Sequence, residues 1–287
     1  MTHISSFLSK SRMLASGLVL MVAAMLAVVG FVSAGSAATS RHHHHHGGRA
    51  VPPPPAAPTN ANQIQNLDQV ETAIKAYYGD TPTETPDPVN GTTMLHVPSP
   101  KGAYAKQVHR IEARAKSFLA RRSGRAQQRK KAIVFDVDDT TLNTYNYEIW
   151  SNFVYDPTTN ADFVNAAAFP AVFGMPRLAH AAKAEGYTIF YITGRPSTQE
   201  NGTVTNLDKV GYPKVQTDRL FLKDNSDPWL SSCAPNCTTD QYKTLTREHI
   251  QSLGYRIIGN FGDQYSDLRG GYSVRRFKMP NPMYFIP

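Results

Sequence analysis

The chain has 287 residues, of which 41% are hydrophobic and 18% are charged. This composition excludes a polytopic membrane protein and a wholly disordered chain, so we expect one or two soluble domains with a hydrophobic core. The formal net charge is +8, and the excess lies in residues 110–131, which contain nine basic residues and one acidic residue. Because the rest of the chain is balanced, we do not expect nucleic acid as a partner except through this short segment.

The first 38 residues have the pattern of an export signal. Lys10 and Arg12 precede an uncharged apolar run over residues 13–32, and small residues follow that run, as they do before a signal cleavage site. We therefore expect a protein that is secreted or located in the cell envelope. The apolar run is about long enough to cross a bilayer. An uncleaved signal that anchors the protein in a membrane is therefore the alternative.

Residues 39–60 predict a spacer. The histidine run His42–His46 is either a natural low-complexity segment or a purification tag, and the prolines that follow it stiffen the chain. Residues 61–131 predict a helical N-terminal extension, with one amphipathic helix over 64–78 and a second, basic one near 111–119. Between the two helices, prolines predict a loop; they are Pro82, Pro86, Pro88, Pro98 and Pro100.

From residue 132 onward, short apolar runs alternate with helical stretches. The runs cover residues 132–135, 187–192, 219–222 and 256–258. This alternation predicts an α/β fold in which a parallel sheet is flanked by helices. Open sheets of this kind bind ligands at the carboxyl ends of their strands. The residues that follow each run are therefore the candidates for chemistry.

Carboxylates follow the first run. Asp136 and Asp138 point to the same side of an extended chain, and either a divalent cation or a shared proton must relieve their repulsion. With a cation bound, one carboxylate can stay ionised as a nucleophile while the other acts as general acid and base. The alternative is a solvated Asp-rich turn that caps the next helix.

Polar groups also follow two further runs. Thr193, Gly194 and Arg195 offer a hydroxyl, a flexible backbone and a guanidinium, which suit a phosphoryl oxygen. Asp263 and Asp267 follow the last run, and their hard oxygens suit Mg²⁺ better than zinc. Each group alone could begin or cap a helix. Their occurrence at successive strand ends favours a site for phosphoryl chemistry.

A lysine is also expected, because a phosphoryl group in transfer spreads negative charge over its oxygens. Two lysines compete for this role. Lys223 closes the third apolar run, whereas Lys243 lies in the first turn of a helix predicted over 241–253, with Thr239 or Asp240 as N-cap. Since a helix N-terminus adds partial positive charge and free N–H groups, we favour Lys243.

The chain has two cysteines, Cys233 and Cys237. An exported protein meets an oxidising compartment, where two thiols this close can pair around a short loop. We therefore predict a disulfide. A zinc site is the weaker alternative, because no histidine or further cysteine lies near in sequence to complete four ligands.

These segments resemble the haloacid dehalogenase-like (HAD) phosphatase superfamily. Residues 259–268 followed by 277–284 are similar to its plant acid phosphatase and class B acid phosphatase branch. The resemblance covers residues 132–287 and implies a Rossmann-like sheet with a small helical cap inserted at about 143–186. The four motifs that carry it are Asp136-Val137-Asp138-Asp139-Thr140, Thr193-Gly194-Arg195, Lys243 and Gly262-Asp263-Gln264-Tyr265-Ser266-Asp267.

The resemblance also implies roles for individual residues. Asp136 would attack phosphorus to form an aspartyl-phosphate, and Asp138 would protonate the leaving oxygen and then activate water. Mg²⁺ would be held by Asp136, the backbone carbonyl of Asp138 and Asp263, with support from Asp267. Some storage-protein relatives lack the nucleophile, whereas Asp136 is retained here. The groups implied for the phosphoryl oxygens are Thr193, Gly194 and Lys243, with Arg195 in support.

The sequence thus predicts an exported, Mg²⁺-dependent acid phosphatase that hydrolyses small phosphomonoesters. One alternative transfers the phosphoryl group to an alcohol instead of water. Another is a protein that binds polyanions through residues 110–131, which could equally be a solvated helix face. Aromatic residues of the predicted cap either stack on the substrate or pack the cap against the body; they are Tyr145, Tyr147, Trp150, Phe153 and Tyr155.

Overall fold

A computed structural model of the protein describes residues 51–124 and 129–286. The predicted export signal and the histidine run lie outside the described residues, so the expectations attached to them stay predictions. Across the two described ranges, no helix has both the length and the apolar character that a membrane span requires.

The described chain forms seven α-helices and seven strands, with short 3₁₀ turns between some of them. The helices are α1 (Leu67–Tyr78), α2 (Ala103–Ser123), α3 (Tyr145–Trp150), α4 (Pro157–Asn165), α5 (Met175–Ala184), α6 (Glu200–Lys209) and α7 (Thr239–Ser252). The strands are β1 (Thr81–Pro86), β2 (Met94–Val97), β3 (Lys130–Phe135), β4 (Thr188–Pro196), β5 (Leu220–Lys223), β6 (Tyr255–Gly262) and β7 (Arg275–Lys278).

Five of the strands form one parallel sheet in the order β5-β4-β3-β6-β7. This arrangement confirms the predicted α/β fold. At the carboxyl end of the central strand, Phe135 pairs with Tyr191 on one side and with Phe261 on the other. The ends of three strands therefore meet at one edge. Strand β7 was not predicted, because its four residues are mostly basic and lack an apolar run.

The core lies on both faces of this sheet, because successive side chains of β3 point in opposite directions. Ile133 and Phe135 join a cluster with α2 and α5, whereas Ala132 and Val134 join a second cluster with α7. The predicted cap region contains α3, α4 and α5, and α5 packs on β4 and α2. Helix α2 of the predicted N-terminal extension thus shares its core with the sheet.

The prediction of a loop between the first two helices was wrong in one respect. Strands β1 and β2 form an antiparallel pair there. Pro82 and Pro86 fit into it because each strand of a two-stranded ribbon has a free edge that needs no N–H donor, and the register shifts between these two prolines. The pair is fixed to α3 by Asn146, whose side chain donates to Asp87 and accepts from His96 N at 2.7 Å.

Three stacked tyrosines join the N-terminal helices to α3. The ring of Tyr78 lies 4.3 Å from that of Tyr104 and 4.4 Å from that of Tyr145, and all three are fully buried. The hydroxyl of Tyr104 accepts a hydrogen bond from Asn143 at 3.2 Å. Among the described residues, the hydroxyl of Tyr78 has no partner.

The later part of the basic segment lies far from the carboxyl end of the sheet. Arg121 and Arg122 are at the end of α2, and Lys131 at the beginning of β3 contacts the backbone carbonyl of Ser123. Asp136 follows the other end of β3, which is about 20 Å away for a six-residue strand. Because the Debye length is about 8 Å at physiological salt, this part of the segment contributes little to the attraction of anions at that end.

The tyrosine stack generates a paired prediction about stability. We expect Tyr104→Phe to lower the free energy of unfolding by about 1 kcal/mol, since it leaves the buried amide of Asn143 with only a long hydrogen bond, 3.5 Å to Asp139 Oδ1. Tyr78→Phe should be neutral or stabilising, since it removes a buried hydroxyl that has no partner among the described residues. Urea unfolding of both variants measures the difference. Equal losses would show that the two hydroxyls have the same environment.

Candidate active site

The loop after β3 places a carboxylate at the edge of the sheet. The backbone N–H of Asp136 donates to Phe261 O of β6 at 2.9 Å, and Val137 O accepts from Leu142 N at 2.9 Å. Asp139 occupies the left-handed region with φ 51, which aspartate adopts more readily than branched residues do. The resulting tight turn leaves the side chain of Asp136 buried where three strands end.

Lys243 of α7 is the cation of this site. Its ammonium group contacts Asp136 and lies 2.6 Å from Asp267 Oδ1, and the side chain is only 4% exposed. Burial opposes the charge on Lys243, but the two carboxylates outweigh burial and raise its pKa. Lys223 makes neither contact; burial and then the charge of Lys243 lower its pKa. The structure thus brings Lys243, the favoured candidate, to the carboxylates.

The helix that carries Lys243 begins slightly earlier than predicted. Its N-cap is Thr238, not Thr239 or Asp240, because Thr238 and Gln241 form a reciprocal capping box. The hydroxyl of Thr238 accepts from Gln241 N at 3.2 Å, and Gln241 Oε1 accepts from Thr238 N at 2.9 Å. This cap fixes the direction of α7 one turn before Lys243.

Three carboxylates form a cluster in which a metal ion fits. Oxygens of Asp136, Asp263 and Asp267 lie within 4.8 Å of one another, and all three residues are buried. Burial and then the charge of Asp267 raise the pKa of Asp136 and bring that of Asp263 to about 6. Hard oxygens whose repulsion is relieved by a cation are typical of Mg²⁺ sites. The cluster includes Asp267 itself, for which only a supporting role was predicted.

Asp263 is oriented by donors from three segments. Its Oδ1 accepts from Thr140 at 3.2 Å, and its Oδ2 accepts from Gln264 at 2.7 Å and from Asn281 at 2.8 Å. Sequence reasoning assigned no role to these three donors, although all of them lie within the segments that carry the family resemblance. Only the fold shows that they converge on one carboxylate.

Arg195 binds Asp138 in the structure. Its Nη2 and Nε donate to the two carboxylate oxygens of Asp138 at 2.6 and 3.0 Å, and its Nη1 donates to Thr203 at 2.9 Å. The Arg195 side chain is 3% exposed, whereas that of Asp138 is 30% exposed. A bidentate pair of this kind fixes the position of a carboxylate. Arg195 therefore orients Asp138, which sequence reasoning did not anticipate.

Thr193 and Gly194 lie within β4 and not after it, because the strand continues to Pro196. Thr193 is fully buried, and its hydroxyl accepts from Arg195 N at 3.2 Å. Gly194 is exposed. Within the described part of the chain, no hydrogen bond joins either residue to the carboxylate cluster, so their predicted role in binding phosphate stays a prediction.

The aromatic residues of the cap divide into two groups. Tyr145 and Tyr147 are fully buried, and the ring of Tyr147 packs 5.3 Å from that of Phe163. These two tyrosines therefore pack the cap. Tyr155 is 67% exposed, and its pKa is raised by partial burial, then by Tyr147 and by Asp138. Of these three tyrosines, Tyr155 is thus the exposed one.

Cys233 and Cys237 form a disulfide, which confirms the prediction and leaves neither sulfur free for zinc. The disulfide lies in the segment between β5 and α7. The side chain of Cys237 is buried in the same cluster as Tyr242, the neighbour of Lys243. The disulfide thus packs against the first turn of α7 and helps to hold it in place.

Three of the four motifs that carry the family resemblance thus meet at one edge of the sheet, through Asp136, Lys243, and Asp263 with Asp267. Residues 93–287 match the sequence model of the HAD superfamily, subfamily IIIB (acid phosphatase). The chain belongs to this family.

Curated relatives in plants support the assignment to subfamily IIIB. The chain is 34% identical to the stem 28 kDa glycoprotein of Glycine max over 55% of this chain and 61% of the relative. It is 33% identical to acid phosphatase 1 of Solanum lycopersicum, over 53% of this chain and 58% of the relative. It is 30% identical to vegetative storage protein 1 of Arabidopsis thaliana, over 54% of this chain and 55% of the relative. In these matches, the chain spans a little more than half the length of each relative.

Solved structures of similar fold include the class C acid phosphatase from Bacillus anthracis. One such structure has a TM-score of 0.54 and 22% identity, and covers 64% of this chain and 80% of its own. A second structure, of the class C acid phosphatase from the same organism with tungstate bound, has a TM-score of 0.56 and 20% identity. It covers 76% of this chain and 86% of its own. These likenesses support the HAD fold.

A close approach at Gly262 generates a prediction for this subfamily IIIB site. A Cβ at Gly262 would lie 2.2 Å from Cβ of Asp267, so Gly262→Ala has to displace that carboxylate from Lys243. We expect the free energy of unfolding, measured by urea unfolding, to fall by about 1–3 kcal/mol through overpacking. Gly124→Ala is the matched control, since nothing lies within 4 Å of a Cβ there. An unchanged free energy of unfolding in Gly262→Ala would contradict the contact.

Proposed function

We propose that the protein is an acid phosphatase that hydrolyses phosphomonoesters, with Asp136 as the nucleophile. The observation that carries the proposal is the buried group of Asp136, Lys243 and Asp267 at the ends of parallel strands. It offers an attacking carboxylate beside a fixed cation, which is what phosphoryl transfer requires. Membership of subfamily IIIB and the similarity to tomato acid phosphatase 1 support the same conclusion.

In the first step, an oxygen of Asp136 attacks phosphorus while the bond from phosphorus to the leaving oxygen breaks. Asp138 gives its proton to that oxygen, so the alcohol leaves neutral and Asp136 carries the phosphoryl group. Lys243 neutralises charge on the phosphoryl oxygens and holds Asp136 in line. Arg195 keeps Asp138 in position for the proton transfer.

In the second step, water attacks phosphorus and the bond from phosphorus to Asp136 breaks. Asp138 takes a proton from the water, which restores both carboxyl groups to their starting states. The side chain of Asp138 is 30% exposed, so water can reach it. The same access admits an alcohol, so transfer of the phosphoryl group to an alcohol stays the alternative.

The metal fits the cluster already described. Asp136, Asp263 and Asp267 would hold Mg²⁺, which supplies charge neutralisation for the phosphoryl group and for the clustered carboxylates. Asp263 is held ready for this task by the side chains of Thr140, Gln264 and Asn281.

We also propose that the protein is exported. The predicted signal over residues 1–38 supports export, as does the disulfide between Cys233 and Cys237, since such bonds persist in oxidising compartments. Relatives include plant vegetative storage proteins. Retention of Asp136 favours a phosphatase over a protein with a storage role alone.

Removal of the nucleophile tests the proposal. We expect Asp136→Asn to lower kcat for p-nitrophenyl phosphate by about a thousandfold or more, since the amide cannot form the phosphoenzyme. Asp218→Asn is the control, because Asp218 is 78% exposed and lies directly before β5, at the opposite end of the parallel sheet from the site. Phosphate release by purified protein is the measurement. Normal turnover by Asp136→Asn would refute the proposed mechanism.

The pair of Arg195 and Asp138 predicts a dependence on the leaving group. Arg195→Lys removes the bidentate contact, so proton donation to a poor leaving group should suffer most. We expect kcat/KM to fall by about a hundredfold for an alkyl phosphate and by much less for p-nitrophenyl phosphate, whose phenolate leaves without a proton. Equal losses on both substrates would show that Arg195 serves a different step.

Metal removal provides a further test. We expect phosphate release to stop after dialysis against EDTA and to return on addition of Mg²⁺. Without a metal, Lys243 would be the main positive charge facing three carboxylates and a negatively charged phosphoryl group, so their repulsion would oppose substrate binding. Titration with Mg²⁺ measures the recovery. Full activity in EDTA would show that the cluster works without a metal.

A further inference from the structure

Two hydrogen bonds join segment 281–286 to separate parts of the site. Asn281 Nδ2 donates to Asp263 Oδ2 at 2.8 Å, and the hydroxyl of Tyr284 donates to Asp139 Oδ2 at 2.8 Å. Asp263 follows β6, whereas Asp139 lies in the loop after β3 that carries the proposed nucleophile. The segment therefore bridges the two stretches of chain that supply the carboxylate cluster.

Gln264 gives the segment a third contact with the site. Its Oε1 accepts from the backbone N–H of Ile286 at 3.0 Å, and its Nε2 donates to Asp263 Oδ2 at 2.7 Å. Because a backbone N–H can only donate, the contact with Ile286 fixes the orientation of this side-chain amide. The NH₂ group of Gln264 then faces Asp263, whereas the reverse orientation would place an oxygen against the carboxylate. The backbone of the segment thus orients a donor to Asp263.

Asp139 is the partner of Tyr284 in the loop after β3. It is fully buried, and its left-handed backbone, with φ 51, is one that residues other than glycine adopt rarely. Thr144 supplies two further hydrogen bonds to its carboxylate, from N at 3.1 Å and from Oγ1 at 2.5 Å. Since Asp139 directly follows Asp138, the donors that hold Asp139 also fix the loop of the site.

We propose that segment 281–286 positions the carboxylates of the metal site, with Asn281 and Tyr284 as its positioning residues. Asn281 acts directly on Asp263, and Tyr284 acts through Asp139. An ion that binds better when the segment is ordered also stabilises the ordered segment. This inference rests on the Mg²⁺ site of the proposed function, and it adds a coupling between that site and a part of the chain that supplies no ligand.

Calorimetric titration with Mg²⁺ tests the positioning role. We expect Asn281→Ala and Tyr284→Phe each to raise the Kd for Mg²⁺ by about tenfold or more, as for other residues that orient metal ligands. Asn236→Ala and Tyr255→Phe are the matched controls and should keep the wild-type Kd. Asn236 is exposed, and Tyr255 begins β6 at the end of the strand away from the site. An unchanged Kd in either Asn281→Ala or Tyr284→Phe would overturn the proposal.

Urea unfolding of the same variants in EDTA separates positioning from a merely structural role. A structural role lowers the free energy of unfolding and leaves the Kd for Mg²⁺ unchanged in the protein that stays folded. That result would overturn the proposal. Positioning raises the Kd in variants that are still fully folded under the conditions of the titration.

Hydrogen exchange of the wild-type protein decides the matter if a variant fails to fold. The backbone N–H groups of Met283 and Ile286 donate to Asn281 Oδ1 at 2.9 Å and to Gln264 Oε1, so their exchange reports the order of the segment. We expect saturating Mg²⁺ to slow this exchange by about tenfold relative to EDTA, because the coupling is reciprocal. The mostly exposed strand β1 is the reference. Equal exchange of the segment with and without Mg²⁺ would overturn the proposal.

Failure of this inference is distinguishable from failure of the proposed function. Phosphate release from p-nitrophenyl phosphate is measured on the same preparations. If the wild-type protein releases phosphate and binds Mg²⁺ while both variants bind Mg²⁺ equally well, the inference alone fails. If the wild-type protein binds no Mg²⁺, the inference fails together with the proposed metal site, and phosphate release then shows whether the phosphatase activity stands without a metal.

Discussion

The site depends on one buried ion group, in which the ammonium of Lys243 lies between Asp136 and Asp267. Charges taken out of water are tolerated only when their partners are held close, and removal of one partner leaves the others uncompensated. The three groups come from the loop after β3, from α7 and from the segment after β6. The parallel order of β3 beside β6, together with the capped start of α7, is therefore required for the site to exist.

The positive charges that face the carboxylates of this site come from a few groups that the fold brings together, and the net charge of the chain has little part in them. The basic end of α2 lies at the opposite end of β3 from Asp136. This separation exceeds the Debye length, so salt screens the interaction between them. Lys243 pairs with Asp136 and Asp267, and Arg195 pairs with Asp138.

Much of this arrangement could be predicted because it depends on strand ends. An apolar run followed by acids indicated Asp136, and the same logic indicated Asp263, whereas Lys243 was favoured because it lies in the first turn of a helix. The pairing of Arg195 with Asp138 could not be predicted, since a guanidinium suits a phosphate and a carboxylate equally well. The strands within 81–97 were missed because prolines indicate a loop in a single sequence, whereas a two-stranded ribbon accepts them at its free edges.

The central claim is that Asp136 carries the phosphoryl group during turnover. The direct measurement is an acid quench of the enzyme during hydrolysis of a phosphomonoester, followed by mass spectrometry of the peptide that contains Asp136. The account predicts a transient phosphoryl group on that aspartate, which disappears when the substrate is exhausted. A peptide that stays unmodified at every quench time while phosphate is released, or a phosphoryl group on another residue, would contradict it.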